Sequence, residues 1–384
     1  MTSSIPLKAR AAVITSFDQD LALKDDQPVL QPSQLAPGEC LVKIDYAGVC
    51  HSDLHIKEGG WGPVKFPIIG GHEGIGHIVA IGEHTVGSPV KIGDRVGVKW
   101  IANACLKYSG FCAVKDNSLT VSAARCVGSA PKLRYTHITR IQSGRLVCGL
   151  RSASHPYLPS LDHFKLLIQL SYVNYCTPIP EKLDSAAATP LLCAGLTIYK
   201  ALKESKPQLG HWVAIPGAGG GLGIQYAVAM GLRVIAIDTG DAKRDLCLKL
   251  GAEKWVDFKT SSNLIQDVKE AADGKGPHSA VVVSSNPGPL DQAVMYLRPK
   301  GTLVAVGIPS GGAVFTVPIA LLIAKCLTII GSAIGNRQDM AEALDIAATG
   351  KVTCHHEVKP FSEVNAVFAD LAAQKIAGRV VLKM

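Results

Sequence analysis

The sequence has little charge and no long hydrophobic segment. Charged residues make up 18% of the 384 residues, whereas 47% are hydrophobic and 38 are glycine, which excludes a disordered or fibrous chain and suits a globular α/β protein. The longest apolar run in the C-terminal third, 317–331, carries Lys325 and is too short to cross a bilayer. We therefore expect a buried helix and strand there, and no membrane partner.

The chain also lacks the signals of a secreted protein. Residues 1–8 contain no apolar core of a signal peptide, and the 11 cysteines are an odd number. Reduced thiols fit a cytosolic protein better than a disulfide framework does. We therefore expect a cytoplasmic location.

The net charge of +8 does not indicate nucleic-acid binding. Residues 125–170 contain seven Lys and Arg residues and one acidic residue, Asp162, so this segment alone carries +6 of the total. The rest of the chain is close to neutral and shows no nucleic-acid-binding motif. No nucleic-acid partner is expected.

Two patterns of secondary structure follow one another along the chain. Residues 8–115 contain short β-rich segments separated by Gly and Pro, including 39–46, 75–81 and 93–98, which favours a small barrel. From about residue 190, apolar strands alternate with helical segments, which indicates a parallel sheet. These strands are 212–216, 233–238, 279–284 and 302–308. The final strand, 378–382, is expected to return to the barrel.

Three short motifs each contain a residue type that binds zinc. Cys50 lies in Ala-Gly-Val-Cys-His-Ser-Asp-Leu-His (47–55), His72 in Gly-Gly-His-Glu-Gly (70–74) and Cys193 in Leu-Leu-Cys-Ala-Gly (191–195). Two thiolates and one imidazole form a three-ligand site that leaves the fourth tetrahedral position open to water or substrate. The sequence therefore predicts a catalytic zinc ion.

A glycine-rich turn, Gly-Ala-Gly-Gly-Gly-Leu-Gly over 217–223, follows the strand 211–216. Such a turn lets the backbone approach a pyrophosphate, and the next helix offers free N–H groups to the phosphates. Asp238 ends the next strand, where a carboxylate accepts hydrogen bonds from both ribose hydroxyls and repels a 2′-phosphate. NAD is therefore predicted over NADP. The candidate binding residues are Gly217, Gly219, Gly220, Gly221, Leu222, Gly223 and Asp238, with Lys243 and Arg379 as candidates for neutralising phosphate charge.

Longer strings extend these motifs, at 48–55, 59–67, 70–74, 192–201 and 331–337. In them the chain resembles the zinc-dependent medium-chain alcohol dehydrogenases, specifically the fungal and yeast-type ethanol enzymes. The resemblance implies a GroES-like β-barrel catalytic domain over 1–190 and 332–384, and a Rossmann NAD-binding domain with a doubly wound parallel sheet over 191–331. It also implies oxidation of ethanol or another small primary alcohol to the aldehyde, or the reverse reaction, by a homo-oligomer (a dimer or tetramer).

The resemblance assigns roles to particular residues. Cys50, His72 and Cys193 match the catalytic zinc ligands, and Glu73 matches a carboxylate that can transiently approach the metal. Ser52 resembles the hydroxyl that takes the proton of the alcohol and relays it through the cofactor ribose to His55, the outer base. The remaining matches are Asp53 for orienting His72, His51 for a pyrophosphate contact, Trp61 for narrowing the substrate pocket, and Ser332 for binding the cofactor.

The chain departs from this family at a second zinc site. The yeast-type enzymes hold a structural zinc with four cysteines, and here Cys105 and Cys112 match two of them. Tyr108 and Thr120 stand where the others belong, and a structural zinc needs all four ligands to close its shell. We expect this site to be absent or badly weakened.

Two further departures concern chain length. Residues 121–170 match nothing in the family and form an atypical insert whose best candidate strand is 165–170, and the helix after Gly223 lacks three residues of the family. Three residues are about 4.5 Å of helix and about 60° of rotation, which would misplace an apolar face. We hypothesise that all three departures are errors of the gene model, with a retained intron at 121–170 and a short exon loss after Gly223; a divergent paralogue with a real insertion is the alternative.

Two other functions stay open on the sequence alone. A zinc polyol or aryl-alcohol dehydrogenase would share the three ligands but need a wider pocket than Trp61 suggests. An inactive chain would keep the three ligands but fail to assemble the site, because the segment of the second zinc site and the helix after Gly223 are damaged. The zinc-free quinone reductases are disfavoured because they lack the three ligands.

Overall fold

The computed structural model describes residues 5–60, 64–99, 167–218, 221–284, 286–309, 313–373, 375–376 and 378–384. Several predictions fall outside these residues, namely those on Trp61, Cys105, Cys112, Gly219 and Gly220 and most of the insert 121–170. The chain divides into two compact units. The N-terminal unit comprises Met1–Cys193 and His355–Met384, and the central unit comprises Ala194–Cys354.

The first part of the N-terminal unit is rich in short strands. They are β1 (Lys8–Ile14), β2 (Ala22–Pro28), β3 (Glu39–Val49), β4 (Ile68–Ile69), β5 (Glu73–Ile81), β6 (Arg95–Lys99), β7 (Ile168–Tyr172) and β8 (Thr177–Pro178). Two short helices, α1 (His51–Lys57) and α2 (Ser185–Ala188), follow β3 and β8. Strand β1 pairs antiparallel with β2 and β4, and the long strand β3 pairs antiparallel with β5 and β7. Strand β7 therefore anchors the end of the insert, three residues after the predicted start at 165.

The central unit alternates strands and helices, as predicted. Its strands are β9 (Trp212–Pro216), β10 (Arg233–Asp238), β11 (Lys254–Asp257), β12 (Ser279–Val282), β13 (Thr302–Ala305) and β14 (Thr328–Gly331). Its helices are α3 (Ala194–Glu204), α4 (Leu222–Ala229), α5 (Asp241–Lys249), α6 (Leu264–Ala271), α7 (Gly288–Tyr296), α8 (Ile319–Lys325) and α9 (Arg337–Ala348). All strand pairs are parallel, in the order β11-β10-β9-β12-β13-β14. This is the doubly wound Rossmann order, with its topological switch point between β9 and β12.

The C-terminal segment belongs to the N-terminal unit. It forms β15 (His356–Pro360), α10 (Val364–Ala372) and β16 (Arg379–Lys383). Strand β16 pairs antiparallel with β3, with Val380 opposite Val49, so the predicted return to the first sheet is confirmed. The central unit extends to Cys354, beyond the predicted boundary at 331/332. The physical reason is that α9 packs against α3, where Lys203 on α3 forms ion pairs with Asp339 and Glu342 on α9.

Each unit has its own apolar core. In the N-terminal unit, Ile14, Ile68 and Phe368 are buried in one cluster, and Val42, Ile44 and Val96 are buried in another. In the central unit, Trp212, Ile235 and Leu303 lie in the cluster that covers the parallel sheet. In β1 the consecutive residues Ala11–Ile14 are all buried, so both faces of this strand are covered.

Helix α4, which follows the glycine-rich turn, is eight residues long. Leu222, Ile224 and Tyr226 are nevertheless buried, and the Tyr226 hydroxyl donates a hydrogen bond to the Ala343 carbonyl at 3.1 Å. Within α4, only Val228 is an exposed large apolar residue, with 42% of its surface exposed. The three missing residues were expected to misplace the apolar face of this helix, but only the Val228 side chain is left exposed.

The apolar run 317–331 forms a helix and a strand, as predicted, but its burial was predicted wrongly. No residue of α8 is buried, and Ile319 and Ile323 are 72% and 69% exposed. Strand β14 is the edge strand of the sheet, and Ile329 on it is 38% exposed. Along the part of the chain that the structure describes, no single helix is both long and apolar enough to span a membrane; the bent pair Ser185–Leu192 and Ala194–Glu204 meets that criterion by length and composition only.

Candidate active site

Four metal-binding side chains meet in the N-terminal unit. The ligand atoms of Cys50, His72, Glu73 and Cys193 all lie within 4.8 Å of one another. Cys50 stands between β3 and α1, His72 and Glu73 lie at the start of β5, and Cys193 follows the short 3-10 helix Thr189–Leu192. Residues far apart in the sequence are thus brought together because β3 and β5 are neighbours in one sheet.

The geometry of this cluster fits a zinc ion. His72 Nε2 lies 3.2 Å from Cys193 Sγ, close to the roughly 3.6 Å that separates two such atoms bound tetrahedrally to one zinc at about 2.1 and 2.3 Å. A hydrogen bond from the Cys193 thiol lowers the pKa of Cys50 well below its usual value, and the positive charge of Arg379 contributes in the same direction. A thiolate is the form in which cysteine binds a metal. The donor set of two sulfurs and one imidazole therefore suits zinc, and the Glu73 carboxylate lies beside it.

Asp53 faces the other nitrogen of the His72 ring. Asp53 Oδ1 lies 3.4 Å from His72 Nδ1, and both side chains are 1% exposed. The second Asp53 oxygen accepts a hydrogen bond from the Cys50 backbone N–H at 3.1 Å. Burial lowers the pKa of His72, but the Asp53 carboxylate and Cys50 together offset this and raise it well above its usual value. Such a carboxylate orients the ring and makes the metal-binding nitrogen a better ligand.

Glu73 forms a buried ion pair with Arg379. The Glu73 side chain is fully buried, and its Oε1 contacts an amino group of the Arg379 guanidinium, which is 17% exposed. Burial raises the pKa of Glu73 to about 7, against the opposing effect of Arg379. Gly48 makes room for this carboxylate, because a Cβ at Gly48 would lie 2.0 Å from Glu73 Oε2. Gly48 lies in one of the sequence motifs, but the motif did not reveal that Gly48 makes room for Glu73. Arg379 was expected to neutralise a phosphate of the cofactor, whereas in the structure it pairs with Glu73.

Helix α1 carries the remaining candidates of this unit. Ser52 Oγ lies 3.7 Å from Cys50 Sγ, at the edge of the metal cluster. His51 and His55 are four residues apart on α1 and therefore lie on one face of it. Burial lowers the pKa of His51, and Arg379 and His55 add to this effect. The helix thus places the Ser52 hydroxyl next to the cluster and carries two imidazoles on one face.

The glycine-rich turn connects β9 to α4 in the central unit. Gly217 and Gly221 have φ angles of +84° and +71°, which favour glycine. A Cβ at Gly223 would lie 2.9 Å from Ile198 Cγ1, so its absence permits the close packing of α4. Leu222 begins α4, whose first N–H groups lie at the carboxyl end of β9. This arrangement fits a dinucleotide pyrophosphate.

Asp238 ends β10, next to the glycine-rich turn. Its Oδ1 accepts hydrogen bonds from Lys243 Nζ at 2.8 Å and from the Thr239 backbone N–H at 2.9 Å. The Asp238 side chain is 10% exposed and that of Lys243 is 53% exposed. Ser332 follows β14 directly, and its buried Oγ has no hydrogen-bond partner among the described residues. A carboxylate and a lysine at this edge of the sheet suit the ribose end of NAD.

A Rossmann sheet with this turn, together with a Cys2His cluster, defines a zinc-dependent dinucleotide oxidoreductase. Two family models match the chain: a zinc-binding dehydrogenase domain over residues 220–349 and an alcohol dehydrogenase GroES-like domain over residues 36–135. The chain belongs to the zinc-dependent alcohol dehydrogenases of the fungal type, and its cofactors are Zn²⁺ and NAD.

The similarity to individual proteins extends over the full length. The alcohol dehydrogenase of Schizosaccharomyces pombe is 41% identical, and alcohol dehydrogenase 1 of Emericella nidulans is 39% identical; in both cases 99% of each chain is covered. Among solved structures, an acetophenone reductase from Geotrichum candidum in complex with NAD is 25% identical with a TM-score of 0.77, covering 100% of this chain and 99% of that one. The predicted family, fold class, zinc and NAD are thereby confirmed.

Proposed function

We propose that this alcohol dehydrogenase interconverts small primary alcohols and their aldehydes, with ethanol and acetaldehyde as the leading pair. The observation that carries the proposal is the buried cluster of Cys50, His72 and Cys193, with a carboxylate, Glu73, beside it. The fungal relatives named alcohol dehydrogenase at 39–41% identity support the substrate class. The proposed pocket wall, Trp61, would favour small alcohols over polyols or aryl alcohols.

The proposed metal site uses three ligands from the N-terminal unit. Cys50, His72 and Cys193 hold the zinc ion, and Asp53 orients His72 from 3.4 Å. Zinc bound there supplies a Lewis acid that lowers the pKa of an alcohol hydroxyl, and NAD supplies the hydride acceptor. Glu73 stays paired with Arg379 beside the cluster.

Proton transfer is assigned to helix α1. Ser52 Oγ, at the edge of the metal cluster, accepts the proton from the substrate hydroxyl as its own hydroxyl proton is released towards His55. His55 lies one helical turn further along α1, is only partly buried, and passes the proton to solvent. Ser52→Thr keeps a hydroxyl and should keep most of kcat, whereas Ser52→Ala should lower kcat about 100-fold or more without loss of zinc.

Cofactor binding is assigned to the central unit. Gly217, Gly221 and the N-terminus of α4 contact the pyrophosphate, and Asp238 accepts hydrogen bonds from the adenosine ribose with Lys243 beside it. Gly219, Gly220, Leu222, Gly223 and Ser332 complete the proposed site. His51 is proposed to contact the pyrophosphate. Arg379 is the weakest of the phosphate candidates, because its charge is already paired with Glu73.

The decisive experiment combines metal analysis with a substrate panel. Zinc per chain is measured on the protein expressed with its full sequence of 384 residues, and turnover with NAD is measured for ethanol, 1-butanol, benzyl alcohol and sorbitol. We expect at least one zinc per chain and the highest kcat/KM for ethanol; Cys193→Ser should lose both zinc and activity. A preference for sorbitol or benzyl alcohol would favour the polyol or aryl-alcohol alternative. A chain with no zinc and no NADH binding would be the inactive alternative, in which the site does not assemble.

We also propose that the chain forms a homo-oligomer through the outer edge of its parallel sheet. Strand β14 is an edge strand whose backbone groups can pair with a second strand, and Ile319, Ile323 and Ile329 expose apolar surface beside it. A second copy of the chain offers the same edge and the same apolar face, so an isologous contact would cover both. Ile323→Glu should shift the mass in solution to that of a smaller species, whereas Val86→Glu, at a residue 93% exposed in the other unit, should not.

A cytoplasmic location is proposed as well. None of the seven cysteines in the part of the chain that the structure describes forms a disulfide, as expected in a reducing compartment. Cell fractionation of the tagged protein tests this; recovery with an organelle or in the medium would contradict it.

A further inference from the structure

Asp257 is the last residue of β11 and lies beside the proposed ribose site. In the parallel pairing of β10 with β11, Asp257 stands directly opposite Asp238. None of the motifs in the sequence includes Asp257. Its position at the carboxyl end of a strand places it at the edge of the sheet where cofactors bind in this fold.

The Asp257 carboxylate accepts four hydrogen bonds. Its Oδ2 accepts from the Thr239 hydroxyl at 3.2 Å and from the Gly240 backbone N–H at 3.1 Å. Its Oδ1 accepts from the backbone N–H groups of Lys259 and Thr260 at 2.9 and 3.3 Å. These bonds, led by the one from Gly240, lower the pKa of Asp257, so the carboxylate is ionised at neutral pH. One side chain thus joins the loop after β10 to the loop after β11.

The same loop determines where the Asp238 carboxylate points. Asp238 Oδ1 accepts the Thr239 backbone N–H at 2.9 Å, while the Thr239 hydroxyl is held by Asp257. Gly240 has a φ angle of +96° and precedes α5, the helix that carries Lys243. The Lys243 side chain, which also contacts Asp238 Oδ1, is 53% exposed and is therefore a weak restraint. The turn Thr239–Gly240 consequently supports Asp238 more firmly than Lys243 does, and Asp257 holds this turn from the neighbouring strand.

We propose that Asp257 is a positioning residue for cofactor binding: it holds the turn Thr239–Gly240 and thereby the carboxylate of Asp238 in the orientation that accepts the ribose hydroxyls. The inference rests on the proposed role of Asp238 in binding NAD. Asp257 acts through the turn and needs no contact with the cofactor itself. Its loss should weaken binding of the adenosine half on the order of tenfold, since hydrogen bonds to a charged group are lost.

The test compares four variants of the zinc-loaded protein: Asp257→Ala, Asp257→Asn, Asp238→Ala and the control Asp245→Ala. Asp245 lies on α5 with its side chain 69% exposed and paired with Arg244, outside the turn. Equilibrium dissociation constants are measured for NADH by fluorescence and for 5′-AMP by calorimetry. Zinc content, kcat, the KM for NAD and the KM for ethanol are measured alongside, and hydrogen exchange reports on the Gly240 amide.

We expect Asp257→Ala to raise the dissociation constants of NADH and 5′-AMP and the KM for NAD about tenfold, with kcat, zinc content and the KM for ethanol unchanged. The Gly240 amide should exchange faster. Asp257→Asn retains one acceptor oxygen and should fall between Asp257→Ala and the unchanged chain, and Asp245→Ala should match the unchanged chain.

Three results would overturn the inference. One is that Asp257→Ala binds NADH and 5′-AMP normally while Asp238→Ala does not, which would leave the proposed function intact. Another is that kcat, zinc content and both KM values deteriorate together in Asp257→Ala and in Asp257→Asn, which would indicate a general structural role. The third is that Asp238→Ala itself binds 5′-AMP normally; the assigned role of Asp238 then fails, and the inference fails with it.

Discussion

The substitution Gly48→Ala tests the packing around the metal cluster with one methyl group. Gly48 lies near the end of β3 and pairs with Val381 of β16. The added Cβ would lie 2.0 Å from Glu73 Oε2 and 2.9 Å from Glu73 Cβ, whereas ordinary contacts are 3.4 Å or longer. Glu73 therefore has to move by more than about 1 Å, against a fully buried environment.

The cost of this movement has two parts. Overpacking a buried site costs about 1–3 kcal/mol. Moving Glu73 also weakens its buried ion pair with Arg379, and losing one partner of such a pair costs about 3–5 kcal/mol. Because the pair is stretched and not removed, we expect the free energy of unfolding to fall by about 2–4 kcal/mol in total.

The assay is urea unfolding of the zinc-loaded protein, with Gly70→Ala as the matched control. A Cβ at Gly70 would lie 3.5 Å from Ile14 Cδ1 and 3.9 Å from Asp53 Oδ1, which are ordinary contacts, so this variant should change stability by less than about 0.5 kcal/mol. In a Glu73→Ala background, the 2.0 Å contact with Oε2 is gone and the 2.9 Å contact with Cβ remains, so Gly48→Ala should cost less than in the unchanged chain. The reasoning is refuted if Gly48→Ala is neutral, or if the costs of Gly48→Ala and Glu73→Ala simply add.

Three further predictions concern the central unit. Burial, together with Arg298 and His211, lowers the pKa of His278 to about 4, below its unfolded value of 6.5. Because the unfolded state takes up a proton on His278 more readily than the folded state does, the free energy of unfolding falls as the pH falls from 6.5 towards 4. His278→Gln should flatten that part of a stability–pH curve measured by urea unfolding. Gln225 accepts from the Thr353 N–H and donates to the Thr353 carbonyl, both at 2.9 Å, so Gln225→Ala should lower the free energy of unfolding by about 1–3 kcal/mol; an unchanged urea midpoint would contradict this. Asp238→Ser should raise the KM for NAD about tenfold and lower that for NADP, and unchanged cofactor preference in steady-state kinetics would argue against Asp238 as the ribose ligand.

Much of the fold could be predicted because its signals are local. Trp212–Pro216 and Arg233–Asp238 were predicted as strands with the bounds that the structure has, since each is an apolar run bounded by a turn or a polar segment. The return of the last strand to the first sheet was expected and is confirmed by its pairing with β3. The predicted burial of 317–331 was wrong. This segment forms α8 and the edge strand β14, and the hydrophobicity of a segment does not say whether another element covers it.

The sequence by itself determined which groups form the metal cluster. Cys50, His72 and Cys193 are residue types whose chemistry selects zinc, and their short motifs are legible without coordinates. Only the tertiary structure decided what surrounds them and what supports the cofactor site. The pairing of Glu73 with Arg379, the space left by Gly48 and the hydrogen bonds from the turn Thr239–Gly240 to Asp257 all depend on strands that are neighbours in a sheet but distant in the chain. No local pattern encodes such contacts, because they arise only when the whole sheet has formed.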